Sequence, residues 1–144
     1  MNRQVFGTMC ISLTVAGLAL ASSGCGSHVG TSLPAIPNST VLLNAEIQSN
    51  IDDSWGRYVT LIGNDSTTGR ALSNRIRDVL DDDGWDTRKV RHPAGSCEAV
   101  KSGETDINFG PATSKMRYFV PSTVKNAVPS RPRAEQQAVF VAIR

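Results

Sequence analysis

The sequence predicts an α+β domain: a small antiparallel sheet packed against one or two helices, preceded by a signal peptide and a flexible tether. Three observations predict it. Residues 66–83 carry helical periodicity between a start and a stop signal. Short β-rich runs at 57–62, 85–90, 105–109, 116–120 and 138–143 surround that one helix without alternating with others. A single main helix among runs of strands is the layout of an antiparallel sheet with helices on one face rather than of a doubly wound parallel sheet. With 144 residues and 40% apolar content the chain supports one modest core.

The N-terminal residues read as a segment for export. Arg3 and the amino terminus make a short positive region, and residues 5–21 follow without a charge. As a helix those residues span about 25 Å, short of the ~30 Å hydrocarbon layer. Interrupted by Gly7, Gly17 and several hydroxyls, they have the character of a signal-peptide core rather than of a permanent span. Two cleavage readings stay open: after the Ala19-Leu20-Ala21 site, or directly before Cys25. The domain organisation expected is a signal peptide over 1–24, Cys25 and a tether over 25–38, and one α+β domain over 39–144.

Residues 39–51 satisfy both templates. Leu43, Ile47 and Ile51 form a helical stripe, whereas Val41, Leu43, Ala45 and Ile47 alternate as in a strand. The helix formers Leu, Ala, Glu and Gln tilt the expectation toward helix. Residues 57–62 predict a strand ended by Gly63-Asn64-Asp65. In the main helix Leu72, Ile76, Val79 and Leu80 share a face, Ser66 or Thr67 caps the start, and Gly84 suits the left-handed stop position. Residues 92–104 read as a loop with a short helical turn at 98–101, and 122–133, with Pro121, Pro129 and Pro132 in and beside it, as another loop. The apolar run 138–143 is expected to complete the sheet.

Few motifs carry chemistry. Between Gly63 and Arg70 a glycine-rich turn joins strand to helix, but its glycine spacing and the Arg70-Ala71 that follows depart from a phosphate loop. Residues 81–86 (DDDGWD) lack the acid spacing of a calcium loop, and Arg88, Lys89 and Arg91 are the nearest bases to balance them. His28 and His92 have no second ligand at zinc spacing. Cys97 lies near His92 and Glu98, yet a thiol nucleophile needs an oriented base that sequence proximity does not supply. No catalytic residue, metal site or cofactor is expected. The net charge of +2 argues against a nucleic-acid partner. The balance hides an asymmetry: five Asp and no base over 78–86, six Lys/Arg and one acid over 115–144. Lys115, Arg117, Lys125, Arg131 and Arg133 are therefore candidates to meet anionic lipid or an acidic protein face.

Two resemblances sharpen these readings. Ala21-Ser22-Ser23-Gly24-Cys25 resembles the lipobox of bacterial lipoprotein precursors, in which the cysteine thiol takes a diacylglycerol and the chain is cut before it. The resemblance implies that Cys25 is the lipidation site. With Gly26 rather than Asp following, it also implies an outer-membrane anchor facing the periplasm. In layout the mature chain is similar to the small Trb-type lipoproteins of conjugative type IV secretion clusters. The matching residues are Gly69-Arg70-Ala71-Leu72, Ile76-Arg77 and Gly84-Trp85. That likeness implies a lipid-anchored, non-enzymatic accessory with a protein partner in an envelope complex. The same helix-and-strand pattern occurs in envelope-assembly lipoproteins of the lipopolysaccharide-assembly kind. A periplasmic module binding a small molecule or lipid between sheet and helix is the alternative.

Overall fold

The computed structural model describes residues 27–144. Six strands form one antiparallel sheet in the order β1-β2-β6-β5-β4-β3: β1 (Ser39–Gln48), β2 (Trp55–Gly63), β3 (Asp86–Val90), β4 (Ser96–Val100), β5 (Ile107–Pro111) and β6 (Ala138–Ile143). The main helix, α1 (Gly69–Asp82), lies between β2 and β3 in sequence. A 3-10 turn (Lys115–Tyr118) and two short helices, α2 (Ser122–Asn126) and α3 (Ala134–Gln137), fill the connection from β5 to β6. The α+β class is as the sequence predicts, and α1 and β6 fall where periodicity and apolar content put them.

Alternation along the strands divides the core. Val59 and Leu61 of β2, Ile107 and Phe109 of β5, and Val139, Val141 and Ile143 of β6 meet Leu72, Ile76 and Leu80 of α1. The other parity, including Tyr58, Phe140 and Ala142, packs against Met116 of the 3-10 turn, Val124 of α2 and Val120 between them. Both faces are thus covered, not one. All six residues of β6 are buried, because each of its side-chain rows faces a layer.

Several local expectations are corrected. Residues 39–48 are a strand, not a helix. A bulge between Val41 and Leu43 switches the side-chain parity, sending Leu43 and Ile47 to the α2 face and Glu46 to the α1 face. Both periods fitted the sequence; pairing with β2 along nearly the whole segment decides for the strand over the helix propensity of Leu, Ala, Glu and Gln. Residues 96–100 are β4 rather than a loop with a helical turn. The strand expected over 116–120 is the 3-10 turn, capped by Ser114. β5 is already paired on both sides by β4 and β6, so no sheet edge there remains for it. The loop expected over 122–133 contains α2, whose Val124 carbonyl accepts a hydrogen bond from the buried Thr60 hydroxyl at 2.9 Å.

Residues 27–38, the greater part of the expected tether, lie along the α1 side of the sheet as an extended strap. Val29 and Ile36 are buried in the α1-side core, with Leu33 packed against it. Thr31 donates to Glu104 Oε2 at 2.6 Å and accepts from the Thr105 amide at 2.9 Å. Arg75 of α1 donates to the Pro37 carbonyl at 3.2 Å. Pro34 favours the extended backbone of the strap, and Val29, Leu33 and Ile36 supply the packing.

Candidate functional site

The strap begins in a polar grip. Across the β1–β2 register Glu46 stands opposite Arg57, and Arg57 Nη2 lies 2.8 Å from Glu46 Oε1. The same carboxylate accepts the Ser27 hydroxyl and the amides of His28 and Val29, at 2.5, 3.0 and 3.2 Å. Arg57 also donates to Ser27 Oγ at 2.6 Å. Burial alone would raise the Glu46 pKa. The hydrogen bonds from Ser27, the His28 amide, Arg57 and the Val29 amide outweigh it and lower the value from 4.5 to about 2. The His28 ring stacks on Trp55 at 3.9 Å, nearly parallel. His28 is therefore a packing residue here. Nothing in the local sequence signals this grip, because its members lie up to 30 residues apart.

On the opposite sheet face two concavities flank the 3-10 turn. Met116 plugs the core from this turn, leaving Arg117, Tyr118 and Phe119 outside. The first concavity is an open groove of about 730 Å³ between the β1–β2 hairpin tip and Tyr118, Phe119, Val120 and Pro121. Ile51 (97% exposed), Tyr118 (73%) and Phe119 (45%) border it, three of the four large apolar side chains exposed among the described residues. The second, of about 580 Å³, is basic. Arg117, Lys125, Arg131 and Arg133 surround an apolar floor that includes Val128 and Phe140. Four of the five cationic residues singled out from the sequence are thus gathered at one place. Arg117 pairs with Glu135 at 3.2 Å, leaving Lys125, Arg131 and Arg133 without an acidic partner among the described residues.

The other sequence candidates resolve into structure. Cys97 and Glu98 are neighbours on β4 and so face opposite sides of the sheet. Cys97 packs against the α1-side core, while Glu98 accepts two hydrogen bonds from Arg88 on the other face. Burial is the main influence on the Cys97 thiol and pushes its pKa up. His92 is exposed in the β3–β4 connection. In the glycine-rich turn, Thr68 caps α1, in place of Ser66 or Thr67, by accepting the Ala71 amide. A Cβ on Gly63 would stand 2.6 Å from the Thr67 carbonyl oxygen, which gives that glycine a packing reason. Of the bases expected to balance the aspartate cluster, Arg88 lies within the field of Asp86, and Lys101, which the sequence did not single out, makes the direct contact. Its ammonium donates to the Asp83 carbonyl at 2.6 Å and lies 3.5 Å from the Asp83 carboxylate. The space between sheet and α1 is filled by Leu72, Ile76 and Leu80, so the concave surfaces lie elsewhere. Cys25, the expected lipidation site, lies outside the described residues. Among those described, no three His, Cys, Asp or Glu side chains are grouped to hold a metal ion, and no helix is long and apolar enough to cross a membrane.

The chain matches no protein-family model, no curated protein and no solved structure.

Proposed function

We propose that this is a lipid-anchored, non-enzymatic accessory protein of a bacterial cell envelope. In this reading Cys25 carries the acyl chains, and the domain is held at the periplasmic face of the outer membrane as part of a conjugation or secretion apparatus. The observation that carries the reading is the uncharged stretch 5–21 followed by small residues and Cys25. The grip on Ser27 supports it and gives it a geometry. Only Gly26 separates Cys25 from the first residue that Glu46 holds. An extended chain reaches about 7 Å over two residues, so an anchor at Cys25 keeps the strap side of the domain close to the bilayer. The two concavities, on the other face of the sheet, are then free for a protein partner. Multiple acyl chains on one cysteine give stable attachment where one chain is marginal. Confinement near one membrane raises the local concentration of the domain against its partners.

Intact-mass analysis of the mature protein tests the reading. The expected result is a chain beginning at Cys25 with the added mass of a diacylglycerol and an N-acyl group, lost in Cys25→Ser. A mature chain beginning at Ser22 with no added mass overturns it.

A further inference from the structure

The charge asymmetry of the sequence becomes a shape in the structure. At the C-terminal end of α1 the chain makes an outward turn: residues 81–84 are all exposed, and Gly84, at φ +84°, has open space around the position of a Cβ. The turn carries Asp81, Asp82, Asp83 and Asp86, while Asp78 precedes it on the helix. Lys101 engages only Asp83, and the Asp81 carboxylate accepts the Thr87 hydroxyl. Asp82 and Asp86 make no side-chain hydrogen bond or ion pair among the described residues, although the charge of Asp86 reaches Arg88. At the other end of α1, Gly69 packs so closely that a Cβ would stand 2.6 Å from the Ala138 carbonyl oxygen and 3.3 Å from that of Gln136. That end is therefore beside α3, and α3 contributes Glu135 and Gln136 to the basic concavity. A 14-residue helix separates the two ends by about 20 Å. One molecule thus bears an exposed acidic turn and a concave basic socket at different places on its surface.

We propose that the protein self-associates head to tail, with the acidic turn of one copy seated in the basic socket of the next. Charge complementarity selects the occupant: among the described residues Lys125, Arg131 and Arg133 form no ion pair with an acid, Asp82 forms none with a base, and Asp86 has only the charge of Arg88 nearby, a side chain already bonded to Glu98. Access agrees, since the acidic turn is exposed with open space beside Gly84 and the basic element is hollow. The contact joins two different patches, so it is heterologous and builds a ring or an open row of subunits rather than a twofold dimer. Exposed ion pairs are individually weak and screened by salt, so the association is modest and sensitive to ionic strength. This inference does not depend on the lipid anchor.

Sedimentation velocity of the full chain in a non-ionic detergent, as a function of protein concentration, tests it. At about 50 mM salt the weight-average mass is expected to rise with concentration, and at about 500 mM, where the Debye length is under ~5 Å, it is expected to fall to that of a monomer. Arg131→Glu with Arg133→Glu, and separately Asp82→Arg with Asp86→Arg, are each expected to remain monomeric at low salt. An equimolar mixture of the two variants is expected to associate again, because an acidic socket then meets a basic turn. A monomeric wild type at low salt, an association insensitive to salt or to either variant, or a mixture that stays monomeric overturns the proposal. Wild-type salt dependence decides the matter even if a variant fails to fold.

Discussion

Glu46 and Arg57 face each other across β1 and β2 and together hold Ser27, so one ion pair closes the strap onto the sheet. The pair is largely shielded, with 18% and 17% of the Glu46 and Arg57 side chains exposed. Its carboxylate titrates far below its ordinary value, at about 2 against 4.5. A group whose folded pKa is depressed contributes stability that is complete above its unfolded pKa and is lost as pH falls through the folded one. The strap is therefore expected to stay closed at neutral pH and to loosen between about pH 4.5 and pH 2. An NMR titration of the Glu46 carboxyl should give a midpoint near 2; a midpoint near 4.5 would show that the grip is absent. In Glu46→Gln, amides of residues 27–31 should exchange faster at neutral pH, with a stability loss of about 1–3 kcal/mol.

Two alanine substitutions in α1 should have opposite effects. Ser73 is buried, and its hydroxyl has no hydrogen-bond partner among the described residues. Ser73→Ala removes that uncompensated group and improves helix propensity, so urea unfolding should show a gain of about 0.5–1.5 kcal/mol.

Gly69→Ala should do the reverse. Alanine ordinarily stabilises a helix relative to glycine by about 0.5–1 kcal/mol. Here its methyl would press on the Ala138 carbonyl at the start of β6. A loss of about 1–3 kcal/mol is expected from overpacking, and an unchanged or raised unfolding midpoint would refute the close approach.

Thr60 pins α2 to the sheet through a fully buried hydroxyl. Thr60→Val keeps the shape and removes the donor to the Val124 carbonyl, and should cost about 1–3 kcal/mol. Thr60→Ser, which retains the hydroxyl, should preserve protection of the α2 amides in hydrogen exchange, whereas Thr60→Val should lose it.

The Cys97 thiol, raised in pKa mainly by burial, should react sluggishly with thiol reagents. At about pH 8 its rate should be below that of the same thiol in the urea-unfolded chain, because less thiolate forms and the sulfur is partly shielded. A folded rate equal to or above the unfolded one would point to an activated cysteine instead.

What could be read ahead of the structure follows from how local each signal is. α1 has an apolar stripe, a capping threonine beside the residues expected, and Gly84 at its end, all within one stretch of chain. β6 has six apolar residues in a row because two packed layers meet there. β1 satisfied the helical and the strand period alike, and its Leu, Ala, Glu and Gln favoured helix locally, whereas the pairing with β2 that makes it a strand is a long-range contact. The 116–120 segment has strand-like composition, but β5 already has two neighbours, a fact of topology that its own residues do not record. The basic socket was legible as an excess of Lys and Arg over 115–144. Its concavity was not, since it depends on α3 and the α2–α3 connection folding back over Phe140. The grip on Ser27 joins residues from the strap, β1 and β2, and no short stretch announces such a meeting.

The place of β6 between β2 and β5 carries a consequence for the order of events when the polypeptide is made. Until β6 emerges, the β1–β2 hairpin and the β3–β4–β5 meander are separate pieces with raw edges, and the long-range pairings that unite them have nothing to pair with. The sheet therefore cannot be completed until its last strand in sequence is present to join the two pieces.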